Sequence, residues 1–239
     1  MPVLDLIRER WQLKLGEEYA PGAAGRALRA QLSDGTPAVL KLQHPHRESE
    51  QEADALERWN GDGAVRLLAR DDENHALLLE RCEPGTFLSR WDGDRLGVLV
   101  ELLPRLWKPA DGFRTLADEV AHWSLAGEVG ALGRDLAATQ GELVLVHQDL
   151  HGDNVLAAER EPWLVIDPKP LAAEREFSVA PIVRSRELGD SRREVLDRLD
   201  RLCSELGLDR ERARSWTIVQ TSAWNAGDAW HSEVVEWLS

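Results

Sequence analysis

The stretch His147-Gln148-Asp149-Leu150-His151-Gly152-Asp153-Asn154 follows an apolar run, Leu143 to Val146, that reads as a buried strand. A second apolar run, Leu164-Val165-Ile166, ends at Asp167-Pro168, with Asp167 thirteen residues after Asn154. Each strand thus leads into hard oxygen donors. A site that transfers a phosphoryl group needs one carboxylate to orient an attacking hydroxyl and take its proton. It also needs oxygen ligands that hold magnesium on a triphosphate. Asp149 suits the first role, Asn154 and Asp167 the second. The interval Asp-x-x-x-x-Asn is the one that catalytic loops of protein kinases use.

Working outward, the next position that carries chemistry is Lys41, in Ala38-Val39-Leu40-Lys41-Leu42. An ammonium on an otherwise apolar strand calls for an anion, because burying it unpaired is costly. Glu52 lies eleven residues on, in a segment where Ala53, Leu56 and Trp59 recur at helical spacing. It precedes Leu56 by four residues and Trp59 by seven, so it shares their inward face. Lys41 and Glu52 would satisfy each other and leave the lysine within reach of the α- and β-phosphates of ATP. The plainer alternatives are a lysine snorkelling from a strand edge, and a solvated helix face already rich in Glu48, Glu50 and Glu57.

Around these positions the pattern divides. Runs from Arg26 to Leu32 and Thr36 to Leu42 flank Ser33-Asp34-Gly35, a hairpin signal. Ahead of them lies a small-residue loop, Pro21-Gly22-Ala23-Ala24-Gly25. A helix is expected over 48–60, strands over 65–70 and 75–81, and a break at Glu83-Pro84-Gly85. Beyond it, Arg95 to Leu106, Leu116 to Thr139, Arg192 to Leu206 and the residues from Arg210 onward carry apolar side chains every three or four positions, as helices do. The expected fold is α+β and bilobal. Residues 1–82 form a small β-rich N-terminal lobe, residues 83–239 form a larger, mainly helical C-terminal lobe, and the ligand lies between them.

Composition narrows the function classes. A net charge of -14 repels phosphate backbones, which argues against nucleic acid and favours polar or cationic small molecules. No stretch approaches the roughly 20 apolar residues that a membrane helix needs. Met1-Pro2-Val3-Leu4-Asp5 lacks the basic start of a secretory signal. Cys82 and Cys203 are too far apart to read as a metal pair, and reduced thiols suit a cytoplasmic location. The expectation is a cytoplasmic monomer or homodimer without membrane or nucleic-acid partners. Only four lysines (Lys14, Lys41, Lys108, Lys169) stand among 29 basic residues, and two of them fall inside the motifs.

Together these residues resemble the aminoglycoside phosphotransferase branch of the kinase-like fold, and within it the streptomycin 6-kinase or hydroxyurea-resistance kinase family. The resemblance also runs through Asp34 to Leu42, Gly61 to Leu68, Leu77 to Arg81 with Pro84-Gly85, Gly112 to Glu119, and Pro162 to Pro170. It implies a protein-kinase-like fold and an enzyme that uses ATP and Mg2+ to phosphorylate a hydroxyl of an aminoglycoside such as streptomycin, or of a related small polar metabolite. It implies Asp149 as catalytic base and Asn154 and Asp167 as magnesium ligands. Lys41 and Glu52 become the phosphate-positioning pair, and Gly25 part of the nucleotide loop. The backbone of Glu80 to Cys82 becomes the adenine linker, and His147 and His151 braces of the loop.

Three positions depart from the family pattern. Gln148 stands where Gly is common, and Gly152 where a second His is common. Ser178 stands where an Asp often holds the catalytic loop, which raises the alternative of a nucleotide-binding pseudokinase. A further alternative reads His147, Asp149, His151 and Asp153 as metal ligands of a hydrolase, and leaves Lys41, Asn154 and Asp167 unexplained. No Walker-type glycine–lysine loop occurs. Glu174, Glu176 and Asp190 follow the metal motif and are candidates for a cationic acceptor, with ordinary surface acids as the plainer reading. Trp91 and Trp107 are candidates for a cleft wall, and Lys169 is either a surface lysine after a proline turn or part of the site.

Overall fold

The computed structural model describes residues 3–20 and 25–239. Pro21 to Ala24, most of the small-residue loop, lie outside the described residues. The chain opens with α1 (Val3–Arg10), β1 (Lys14–Glu18), β2 (Gly25–Gln31) and β3 (Pro37–Gln43). Then come α2 (Glu52–Trp59), β4 (Leu67–Asp71) and β5 (Ala76–Glu80). The strands form one antiparallel sheet in the order β1-β2-β3-β5-β4. The β2–β3 hairpin forms where expected, because Asp34 Oδ1 accepts the Thr36 N–H at 2.9 Å and closes the turn.

Strand alternation splits the sheet into two faces. Ala38 and Leu40 of β3 point with Ala76 and Leu78 of β5 towards Ile7 of α1. Leu77 and Leu79 point the other way and join Ala53, Leu56 and Trp59 of α2. That second layer does not stop at the sheet. It runs on into Leu99, Leu103, Leu145 and Val165, so one core spans the expected boundary at residue 82. Each fully buried Leu here contributes roughly 1.5–3 kcal/mol.

The C-terminal part comprises β6 (Pro84–Phe87), α3 (Arg95–Leu106), α4 (Leu116–Trp123), α5 (Gly127–Ala138), β7 (Val144–His147), β8 (Val155–Ala158), β9 (Trp163–Val165), β10 (Pro170–Ala173), α6 (Ala180–Val183), α7 (Arg192–Leu206), α8 (Arg210–Ala223) and α9 (Ala229–Leu238). β7 pairs with β10, and β8 lies between β6 and β9. α7 starts and stops where its capping box (Ser191, Glu194) and its left-handed Gly207 dictate.

Two boundaries differ from the sequence expectation. The helix expected over 48–60 begins only at Glu52, and Gln51 uses its side chain on the other lobe instead of as a cap. The single helix expected over 116–139 is two, broken by left-handed backbone at Ser124 (φ 52°) and Gly127 (φ 63°). The apolar spacing carries on through Trp123, Leu125 and Val129 and hides the break. Among the described residues, no helix is long and apolar enough to cross a membrane.

Candidate active site

Lys41 and Glu52 meet as the strand-and-helix reading requires. The lysine Nζ donates to Glu52 Oε2 at 2.6 Å and Oε1 at 2.8 Å, and Gln43 Nε2 adds a bond of 2.6 Å to the same carboxylate. Glu52 is 1% exposed, so it is unavailable to solvent. Nζ also bonds the Asp167 carboxylate, which enters from just beyond β9. Asp167 is held there in left-handed backbone, φ 52°, a conformation that costs a non-glycine residue about 1–3 kcal/mol. Burial pulls the Lys41 ammonium down, but the charges of Glu52 and Asp167 outweigh it and hold it above its ordinary value. Burial pushes the Asp167 carboxyl up, and Lys41 outweighs that, holding it below the usual carboxylate range. One cation therefore faces two carboxylates. The surplus negative charge sits on Asp167, whose side chain keeps 34% of its exposure.

β7 delivers the loop. His147 is buried and locked by two bonds: its Nδ1 accepts the Asp149 N–H at 3.1 Å, and its Nε2–H donates to the Ile166 carbonyl at 3.2 Å. Burial pushes its pKa down to about 4, so the ring stays neutral and ties the two motif strands together. Asn154 donates through Nδ2 to the Asp149 carbonyl at 2.8 Å and faces His151 Nε2 at 3.2 Å. With the amide N–H groups so engaged, the amide oxygen is the atom offered to a cation. An amide oxygen and a carboxylate are the hard donors that Mg2+ takes, so Asn154 and Asp167 fit that ion. Asp149 Oδ2 accepts from Lys169 Nζ at 2.7 Å, and its Oδ1 lies 3.8 Å from His151 Nε2.

The departures from the family pattern each find a place. Gln148 is fully buried; its N–H donates to the Lys169 carbonyl at 3.1 Å, and its carbonyl accepts Gln220 Nε2 of α8 at 2.7 Å. A Cβ at Gly152 would lie 2.9 Å from the Ser89 nitrogen, so a larger residue would have to push that segment aside. The Gly152 N–H donates to Glu187 Oε1 at 2.8 Å. The Ser178 hydroxyl donates to the Arg175 carbonyl at 2.6 Å and accepts from Trp107 Nε1 at 3.2 Å. Gln220 and Glu187 thus anchor the loop here, and neither carries a sequence signal.

Other expectations need correction. The four alternating residues do not form a metal site. Both ring nitrogens of His147 are spent inside the protein, Asp153 accepts from Ser89, and among the described residues no group of three or more His, Cys, Asp or Glu is placed to hold a metal. Glu174 faces inward, 3% exposed, and accepts from Trp216 Nε1, Arg212 Nε at 2.6 Å and the Gly141 N–H at 3.0 Å. It is neither an acceptor ligand nor a surface acid. Glu176 accepts the Asp209 N–H at 3.4 Å, and Asp190 is an exposed acid 3.9 Å from Arg186. Trp107 packs under Arg175 instead of lining a cleft, and Trp91 leans on Trp163 at 5.3 Å.

At the linker, the Glu80 carboxylate is taken by Arg160 at 2.8 and 3.0 Å and by the Arg66 N–H at 3.0 Å. The Glu80 N–H donates to the Arg66 carbonyl at 2.9 Å, so only its own carbonyl, with the main chain of Cys82, remains to meet a base. Burial pushes the Cys82 thiol up to about 12, so it is not a nucleophile. Gly25 begins β2 with φ 142°, and a Cβ there would lie 2.2 Å from the Leu42 carbonyl oxygen, so close strand approach alone demands glycine. Lys169 stands beside Asp149, so of its two readings the structure favours the site. Arg184 and Trp224, which stand beside it, and His231, which bonds Arg184, carry no sequence signal that would have found them.

Comparison with known proteins places nearly the whole chain in a family. Residues 10–234 match the family described as aminoglycoside/hydroxyurea antibiotic resistance kinase. The streptomycin 6-kinase of Streptomyces griseus is 38% identical, over 92% of this chain and 81% of that one. The hydroxyurea phosphotransferase of Kitasatospora aureofaciens is 41% identical, over 92% and 71%. A choline kinase from Streptococcus pneumoniae superposes with a TM-score of 0.71 over 100% of this chain and 99% of that one; at 14% identity it shows a shared fold. With the bilobal kinase-like fold and nearly the whole sequence matched, the chain is a phosphotransferase and belongs to the aminoglycoside/hydroxyurea antibiotic resistance kinase family.

Proposed function

We propose that this enzyme transfers the γ-phosphoryl group of Mg-ATP, in the cytoplasm, to a hydroxyl of a streptomycin-like aminoglycoside or a related small polar acceptor. The observation that carries the reading is the convergence of Lys41, Glu52 and Asp167, from β3, α2 and the end of β9, on a point next to the Asp149 loop. The adenine lies against the main chain of Glu80 to Cys82. Lys41, oriented by Glu52, holds the α- and β-phosphates. Asn154 and Asp167 hold the magnesium, which when bound neutralises charge on the phosphates. Asp149 orients the acceptor hydroxyl and takes its proton as the new O–P bond forms. His147 and His151 keep that carboxylate in place. Both cysteines are buried and free, which supports a reducing compartment.

The test is ADP release across an acceptor panel that includes streptomycin, hydroxyurea and choline, with Asp149→Asn beside the wild type. Acceptor-dependent turnover by the wild type, lowered by about 10²–10⁴ in the variant, is expected for loss of a general base. Wild-type protein that binds Mg-ATP and phosphorylates nothing would replace this reading with nucleotide binding alone. A fully active Asp149→Asn would remove the base assignment.

A further inference from the structure

Lys169 Nζ sits 2.7 Å from Asp149 Oδ2, and a second cation, Arg184 Nη2, lies 3.6 Å from Oδ1. The Arg184 side chain retains only 10% of its exposure, and its Nε has no hydrogen-bond partner. A buried guanidinium with an idle donor is costly. Its position is nonetheless tightly built. The guanidinium carbon stands 4.4 Å from the centre of the Trp224 ring, and Lys169 Nζ stands 5.0 Å from the same centre. Arg184 Nη1 donates to His231 Nε2 at 3.2 Å, while His231 Nδ1–H donates to Asp228 at 2.7 Å, which fixes the ring tautomer. The Trp230 indole donates to the Arg184 carbonyl at 2.8 Å. The corner between α8 and α9 therefore exists, in part, to aim this guanidinium.

Lys169 stands between two carboxylates, Asp149 at 2.7 Å and Glu48 at 3.7 Å, so Arg184 helps to balance Asp149. At 3.6 Å, however, the arginine Nη2 makes no hydrogen bond to that carboxylate and is left to serve another acceptor. Burial pulls Arg184 below its ordinary value, with Asp149, Glu187 and Glu48 opposing. A group with several acceptor oxygens, next to the atom that Asp149 deprotonates, would use Nη2, which faces that carboxylate without a hydrogen bond, while Nε stays covered by the protein. A transferring phosphoryl group is such a group. The N–H bonds of Nη2 and the ammonium of Lys169, on either side of Asp149, offer that group cationic donors from two directions.

We propose that Arg184 and Lys169 are catalytic residues that bind the non-bridging oxygens of the phosphoryl group as it passes from ATP to the hydroxyl held by Asp149. This rests on the kinase reading above. In the step, the acceptor oxygen bonds to the γ-phosphorus and the bond from that phosphorus to the β,γ-bridging oxygen breaks. The electron pair leaves on ADP, and the hydroxyl proton goes to Asp149. Trp224 covers one face of each cation, and Arg184, at 10% exposure, is the better shielded of the two.

The experiment compares wild type, Arg184→Ala, Arg184→Lys and Lys169→Met with streptomycin or hydroxyurea as acceptor, reading kcat, both KM values and Tm. A second measurement follows retention of ADP by each protein with Mg2+ and aluminium fluoride, a mimic of the phosphoryl in flight. The expected result for Arg184→Ala is a fall in kcat of about 100-fold or more with KM for ATP within about threefold. Added guanidinium should restore part of the rate, and aluminium fluoride should no longer tighten ADP. Arg184→Lys keeps the charge and the stack and should recover some activity, which keeps the test open if the alanine variant does not fold. A kcat within about threefold of wild type overturns the proposal, as does a loss carried by Tm and both KM values without guanidinium rescue. A wild type inactive with every acceptor removes the kinase reading itself, and this proposal with it; an active wild type matched by Arg184→Ala removes only the role of Arg184.

Discussion

His147 makes stability depend on pH in a way that can be worked from its surroundings. The imidazole goes from 6.5 in an ordinary setting to about 4 in the fold, because burial penalises its charged form. Between those values the unfolded chain carries a proton that the native chain refuses. The contribution is therefore fully present above about pH 6.5 and is lost progressively as pH falls towards 4. A tenfold difference in proton affinity between the two states is worth about 1.4 kcal/mol, which sets a ceiling of about 3 kcal/mol here. At about pH 5 the two-state linkage relation gives a loss of about 2 kcal/mol, against almost none at about pH 7. The perturbation is His147→Gln, which keeps a donor for the Ile166 carbonyl and has nothing to protonate. The assay is urea unfolding followed by fluorescence, for which the ten tryptophans serve as reporters. All other titrating groups are common to both proteins, so the quantity of interest is the wild-type stability minus that of the variant. That difference should shrink by about 2 kcal/mol from pH 7 to pH 5. A difference that stays constant would refute the buried, neutral imidazole and with it the tie between the two motif strands.

Two further outcomes follow from the same geometry. Lys41→Met leaves Glu52 buried without its cation; it should cost about 3–5 kcal/mol, which Lys41→Met/Glu52→Gln should largely recover in Tm while ATP turnover stays low in both. Glu174→Gln breaks the charge-assisted bonds to Arg212 and Trp216 and should lower stability by about 3 kcal/mol with KM for the acceptor unchanged; a selective rise in that KM would return Glu174 to acceptor recognition.

Legibility in the sequence followed the range of the interactions. Lys41, Glu52, Asp149 and Asp167 were readable because each breaks a local pattern, a charge in an apolar strand or on an apolar helix face, or a carboxylate at a strand end, and Asn154 because it falls five residues after Asp149. The β2–β3 hairpin and the ends of α3 and α7 were readable because turn and cap chemistry is local. Arg184 was not, since it is one of 25 arginines (29 Lys+Arg less four Lys) and nothing near it in sequence announces Asp149 or Trp224. Gln220 lies 72 residues from the carbonyl it anchors. Glu174 reads in the sequence as a surface acid or an acceptor ligand because its partners, Gly141, Arg212 and Trp216, come from distant elements. α1 and β1 carry no clear sequence signal, because their short, highly charged segments show little of their apolar side.

Helix α2 is fastened to the other lobe at both ends. Gln51 bonds the Gly112 carbonyl and the Arg114 N–H, each at 2.8 Å, and Arg58 reaches the Asp111 carbonyl at 3.2 Å. The Trp59 indole donates to the Leu106 carbonyl at 2.9 Å from within the shared core. A helix moored in this way cannot swing outward to carry Glu52 off Lys41. The on–off lever that such a helix offers in a regulated phosphotransferase is thus tied down at both ends, and Lys41 and Glu52 stay paired as a fixed part of the shared core.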